Sequence, residues 1–203
     1  MDDGLVERRA EPLLTESREA FRAVVVQGAR QVGKSTLVER VATRSGLSLV
    51  SLDREEDLLA ALDDPREFLR RLGTPAVIDE VQRGGDRLVL AIKQVLDRSR
   101  SRGQLILTGS SNFLTTPALS ESLAGRIDLL TLWPLSMGEL HGGSDEFVDR
   151  AVSTVDALLD HRGATPSRHE YLDLVCSGGY PEAWRLSPRS RRRGSRASLV
   201  TLE

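Results

Sequence analysis

The 203-residue chain carries 28 basic and 30 acidic residues, a net charge of −2, with 39% apolar and 29% charged positions. That balance suits one globular domain, or one with a small appendage, and excludes a global field that would draw the chain to nucleic acid or membrane. No apolar run approaches the roughly 20 residues of a spanning helix. The acidic start MDDGLVERRAEP does not read as a signal peptide, and the single Cys176 has no partner within the chain. Together these features favour the cytoplasm.

In chain order, Ala23 to Gln27 (AVVVQ) is a short apolar run entering a Gly-rich turn and predicts a buried strand. Lys34 to Thr43 predicts an amphipathic helix with Leu37, Val38 and Val41 on one side. Leu47 to Leu52 predicts a second strand, and Arg54 to Leu72 a charged helical stretch broken by Pro65. Pro75 to Ile78 predicts a third strand running into Asp79 and Glu80. Asp86 to Arg98 predicts a helix whose inner stripe is Leu88, Ile92, Val95 and Leu96. Gln104 to Leu107 and Ile127 to Leu132 predict the fourth and fifth strands. Alternation of this kind predicts an α/β fold, a parallel sheet with helices on both faces. Beyond Pro134 only helical patterns follow, at Asp145 to Asp160, Arg168 to Cys176 and Pro181 to Leu186. The expectation is a core over residues 1–135, a small helical lid over 136–186 and a disordered basic tail over 187–203.

Gly28-Ala29-Arg30-Gln31-Val32-Gly33-Lys34-Ser35 matches G-x-x-x-x-G-K-[ST] between a predicted strand and a predicted helix. Its glycines let backbone N–H groups turn inward around phosphate oxygens, and the helix start presents its partial positive end to the same anion. Of the 28 basic residues only Lys34 and Lys93 are Lys, so the Lys in this motif stands out. A mobile ammonium suits the β and γ phosphates better than a planar guanidinium does. Ser35 offers a hydroxyl to Mg²⁺. The expected nucleotide contacts are residues 28 to 35 and Thr36, with ATP and Mg²⁺ as ligands.

Asp79 and Glu80 end an apolar strand on the side where open α/β sheets bind ligands. Asp79 is expected to hold Mg²⁺ opposite Ser35, and Glu80 to orient and deprotonate the attacking water. A base beside the metal-holding acid argues for hydrolysis rather than small-molecule phosphorylation. His141, His161, His169 and Cys176 show no zinc spacing. Cys176 reads as a core residue, Trp133 as packing where core meets lid, and Ser110 and Ser111 lack a nucleophile elbow.

The segments GARQVGKSTL, VIDEVQR, LILTGSSN, SESLAGR, WPLS and GGYPEA occur in that order. From about Arg9 to Trp184 the chain resembles uncharacterised prokaryotic AAA+-type P-loop ATPases, which usually carry a further C-terminal domain similar to a nuclease fold. The resemblance implies a five-stranded core in which Gln104 to Thr108 lies between the strand of Asp79 and the strand of the P-loop. It implies a sensor role for Thr108, with Ser110 and Asn112 just beyond; a simple turn is the alternative. It implies an arginine finger at Arg126, acting within the chain or on a neighbouring subunit of a homo-oligomer; a surface pair with Glu121 or Asp128 is the alternative. Gly178 to Pro181 reads either as an adenine-contacting Gly-x-Pro element or as a helix-breaking turn.

Relatives continue past GGYPEA, whereas the stretch after Trp184 holds six Arg and one acid, Glu203. It reads as the end of a truncated chain in preference to a nucleic-acid-binding tail, since no aromatic is interleaved to stack bases. The leading reading is an Mg²⁺-dependent ATPase that is catalytic through Lys34, Glu80, Thr108 and Arg126. The alternatives are a nucleotide-state switch with little turnover, a nucleic-acid-associated motor subunit, and a remnant without its effector domain. The protein partner is open, and no membrane is expected.

Overall fold

Five strands, Ala23–Gly28 (β1), Ser48–Ser51 (β2), Ala76–Asp79 (β3), Leu105–Ser110 (β4) and Ile127–Thr131 (β5), pair in parallel in the order β2-β3-β4-β1-β5. The structure is a computed structural model that describes residues 5–110, 125–142, 151–153 and 167–187. β4 lies between β3 and β1, as expected, and runs past Leu107 because it keeps pairing with β1 as far as Gly28 opposite Ser110. All strands point the same way, so their C-terminal ends form one edge.

The two faces of the sheet feed two separate cores, because successive side chains of a strand point to opposite sides. Ala23, Val25, Ala76, Ile78, Leu105 and Leu107 pack on one face against Ala61, Phe68, Leu88, Ile92 and Leu96. Val24, Val26, Val77 and Ile106 pack on the other against Leu14, Leu37, Val38 and Val41. The first set of helices is Glu55–Asp63 (α3), Pro65–Leu72 (α4) and Gly85–Arg98 (α5). The second is Ala10–Ala20 (α1) and Lys34–Ser45 (α2). The break at Pro65 is real: Asp64 caps α4 by accepting from the Arg66 and Glu67 amides, and Pro65 takes the first turn, where no N–H is needed. The helix α1 was not anticipated. Its one fully buried apolar residue, Leu14, sits among charged neighbours and leaves little periodicity to read.

The chain divides into two compact units, Glu7–Trp133, and Pro134–Glu203 together with Met1–Val6. In the second unit, helices Met137–His141 and Arg168–Ser177 each start at a capping box, Ser136 with Glu139 and Ser167 with Glu170. A short helix, Pro181–Arg185, follows, and Trp184 meets the His141 ring edge-on at 5.7 Å. Gly178 closes the preceding helix at φ 61°, and Pro181 opens the next. The Gly179 carbonyl accepts from the Leu135 amide at 2.7 Å, an approach so close that a Cβ on Gly179 would lie 2.2 Å from the Leu135 oxygen.

Two expectations are corrected. Cys176 is exposed rather than core, because its helix leaves Tyr171, Leu172 and Val175 exposed as well. Trp133 is 72% exposed rather than packed; it lies two residues beyond the end of the edge strand β5. Of the predicted helix Asp145 to Asp160 only residues 151–153 are described, and they are helical. Residues 188–203, with most of the basic tail, lie outside the described residues, as do Ser111 and Asn112.

Candidate functional site

β1 ends at Gly28, and the loop that follows turns back into α2 at Gly33, whose φ of 95° places it in the left-handed region. Gly33 brings no side chain to cap the helix, so the first-turn amides of α2 stay open toward the loop. Gln31 also takes a positive φ, 64°, which is uncommon for a residue with a Cβ and marks a loop held in a specific shape. Lys34 is buried, and its ammonium donates to the carbonyls of Gly28 at 3.1 Å and Ala29 at 3.0 Å. Its charge is thereby stored within the loop. Val32 is buried beneath it, while Ala29, Arg30, Gln31 and Thr36 are exposed or half-buried.

Asp79 is the hub of the site. It lies buried at the end of β3, and three hydroxyls donate to its carboxylate. Ser35 Oγ reaches Oδ1 at 3.1 Å, Thr108 Oγ1 reaches Oδ1 at 2.5 Å, and Ser51 Oγ reaches Oδ2 at 3.1 Å. Sheet register explains the meeting. Ser51 stands opposite Asp79 in β2, and the pairing of Ile78 with Leu107 sets Thr108 beside Asp79 on the other flank. The three neutral hydroxyl donors hold the carboxylate in place.

Glu80 follows at φ 55° and ψ 43°, a left-handed conformation that turns its side chain away from the strand's alternation. Its amide donates to Thr108 Oγ1 at 2.9 Å, which anchors that turn. Its carboxylate accepts from the side-chain amide of Gln82. Thr108, expected to read the γ-phosphate or the water, is instead fully buried, with its hydroxyl shared between Asp79 and Glu80.

Arg126 is not brought to this site. It stands just before β5, whose first residue pairs with Ala23 at the start of β1, so about 16 Å of strand separates it from the P-loop. There it donates from Nε to Asp97 at 2.5 Å; of the two acids named as alternative partners, Glu121 lies outside the described residues. A finger role toward the nucleotide of the same chain is therefore corrected: the residue lies at the wrong end of a parallel sheet. The Arg126 guanidinium holds the Asp97 carboxyl below its ordinary range. An open cavity bounded by Thr15, Arg18, Ser99 and Arg102 lies at that same end and has no part in the arrangement around Lys34.

Three residues at the site went unread in the sequence: Ser51, Gln82 and Arg8. Arg8 donates to the Val32 carbonyl at 2.8 Å and to the Trp133 carbonyl at 2.5 Å, tying the P-loop to the end of β5. Only Ser51 had a usable signal, as a hydroxyl at the end of a strand neighbouring β3.

The donors present fit a magnesium ion. Ser35 Oγ and Asp79 Oδ1 are hard oxygens already within 3.1 Å of each other, beside a loop shaped for phosphate. No cluster of three or more His, Cys, Asp or Glu able to hold a metal occurs among the described residues. A cation that takes most of its ligands from phosphate and water matches so lean a donor set.

Fold and site together define a P-loop protein of the α/β class. A family model described as AAA domain matches residues 20–141, so the chain belongs to the AAA domain family. Two uncharacterized mycobacterial proteins, Rv2008c of Mycobacterium tuberculosis and Mb2031c of Mycobacterium bovis, are each 33% identical over 138 residues. These matches cover 67% of this chain and 31% of either relative, so the chain spans under a third of their length. Among solved structures, the Walker-type ATPase PABY2304 of Pyrococcus abyssi is similar in fold, at a TM-score of 0.50 and 18% identity. That match covers 89% of this chain and 65% of the other. The RuvB Holliday junction branch migration motor of Thermotoga maritima aligns at a TM-score of 0.43 and 22% identity, over 74% of this chain and 52% of its own.

Proposed function

We propose that the chain binds ATP with magnesium and hydrolyses it. The observation that carries this reading is the contact of Ser35 Oγ with Asp79 Oδ1 at 3.1 Å, which joins the first turn of α2 to the acid at the end of β3. A hydroxyl from the P-loop helix and a carboxylate from a strand of the same sheet are the two groups such a fold needs beside bound phosphates.

Lys34 leaves the Gly28 and Ala29 carbonyls and neutralises the β and γ phosphates, while the open amides of the loop and of α2 hold their oxygens. Ser35 and Asp79 hold Mg²⁺, which when bound draws off charge from the phosphoryl oxygens. Glu80 accepts the proton of the attacking water and aligns it with the γ-phosphorus. Thr108 is a positioning residue for both acids. Arg126, remote from its own loop, serves only a nucleotide held by another copy.

Titration calorimetry with Mg-ATP and steady-state phosphate release test the reading. The native chain binds and turns over; Lys34→Ala loses the binding heat, and Glu80→Gln keeps it while losing turnover. Saturation at one hundred times Kd adds about 2.7 kcal/mol to the stability of the native chain. Native protein without binding heat, indistinguishable from Lys34→Ala, overturns the reading.

A further inference from the structure

We propose that Gln82 is the positioning residue that sets the Glu80 carboxylate for its work on water, an inference that rests on the hydrolytic reading above. Gln82 sits in the 3-10 turn Val81–Gly84 directly after Glu80, and its Nε2 donates to Glu80 Oε2. The sense of that contact is fixed by chemistry: an ionised carboxylate only accepts, so the nitrogen end of the amide faces it. The opposite end, Oε1, is buried and takes no proton from any group among the described residues. Among the described residues the Glu80 carboxylate is thus the side-chain partner that orients this amide, and the amide in turn orients the carboxylate.

Glu80 needs such support more than a residue in a regular strand would. Its left-handed backbone is pinned at the amide by Thr108, which fixes where the side chain starts but leaves its outer torsions free. Gln82 supplies the second point of attachment, at the carboxylate itself. The donor is a neutral amide, so it restrains the carboxylate without bringing a second cation beside Asp79. The adjacent Arg83, which could have supplied a charge, is turned to Asp53 instead, at 2.5 Å.

The test compares native chain, Gln82→Leu, Glu80→Gln and the double variant, with Gln82→Ala as a second truncation in case the leucine disturbs folding. Loss of the amide is expected to lower kcat by about 10-fold or more, with Mg-ATP affinity and KM within about 2-fold of native. The double variant is expected to match Glu80→Gln, because the two side chains act as one unit. A second readout needs no turnover. The Gln82 side-chain amide, assigned by its loss in Gln82→Leu, gives nitrogen-resolved NMR signals with slowed proton exchange, and Glu80→Ala abolishes that protection. Gln82→Leu with native kcat, or a Gln82 amide indifferent to Glu80→Ala, overturns the inference. Native protein that binds Mg-ATP without turnover overturns hydrolysis instead, and the NMR arm then decides whether Gln82 holds Glu80.

Discussion

The Thr108 hydroxyl donates to Asp79 Oδ1 across 2.5 Å, and the same oxygen of Thr108 receives the Glu80 amide proton at 2.9 Å. One buried hydroxyl therefore sets the place of two neighbouring acids. Thr108→Val keeps the shape but strands a buried carboxylate oxygen and a backbone amide. The expected loss is about 1–3 kcal/mol of stability, read from denaturant midpoints. Thr108→Ser retains most of it and most of the turnover.

Asp79 shares its two oxygens among Ser35, Ser51 and Thr108, so its negative charge is surrounded by neutral donors. Asp79→Asn keeps the volume and removes the charge that attracts the ion. ATP binding by the native chain is expected to weaken when Mg²⁺ is chelated with EDTA. Calorimetry on Asp79→Asn should show the same affinity with and without the ion. Ser51→Ala, which removes one neutral hydrogen bond, should cost only about 0.5–1.5 kcal/mol of stability.

Lys34 occupies a buried position where its ammonium reaches two loop carbonyls. Lys34→Arg preserves the charge, yet the planar guanidinium does not fit the same fold of backbone. Nucleotide affinity should fall by roughly 10- to 100-fold in Lys34→Arg, as in Lys34→Ala, because a charged hydrogen bond worth about 1.5–3 kcal/mol is lost in each. Equal affinity in the Arg variant and the native chain would show that charge alone suffices.

At the far end of the sheet, Arg126 lowers the Asp97 carboxyl, and on α4 the Arg70 and Arg71 guanidiniums hold the Glu67 carboxyl down at about 2. A carboxyl lowered on folding adds stability that is complete above its unfolded value, about 3.9 for Asp and 4.3 for Glu, and is lost as pH falls toward the folded value. Urea midpoints should therefore fall between about pH 4.5 and 2. Arg126→Ala and Arg70→Ala should each flatten that slope, weakly and less so at high salt, since both pairs are exposed. Mg-ATP affinity should not change in Arg126→Ala.

The elements legible in the sequence were those whose signal is local. AVVVQ entering a glycine turn, VI before Asp-Glu and the i, i+4 stripe Leu88, Ile92, Leu96 each carry their own period, and each became the element expected. Asp79 was legible for a related reason: a parallel strand that ends in an acid delivers it to the edge where the P-loop also begins. The same reasoning, applied to Arg126, sends it to the opposite edge, because it precedes its strand instead of following it. Ser51 and Arg8, and the hydrogen bonds of Thr108 to Asp79 and Glu80, depend on which strands lie side by side and in what register, which no single segment encodes. The left-handed turn at Glu80 has no glycine to announce it, so the pairing of Glu80 with Gln82 was hidden too.

Gly28 lies so near the Leu132 oxygen that an added Cβ would come within 2.4 Å, and Arg8 clasps the Val32 and Trp133 carbonyls together. The start of the phosphate loop and the residues just after β5 are thus held together at two points. A side chain at residue 28 would therefore press on the backbone at Leu132, and loss of the Arg8 guanidinium would release the Val32 and Trp133 carbonyls together.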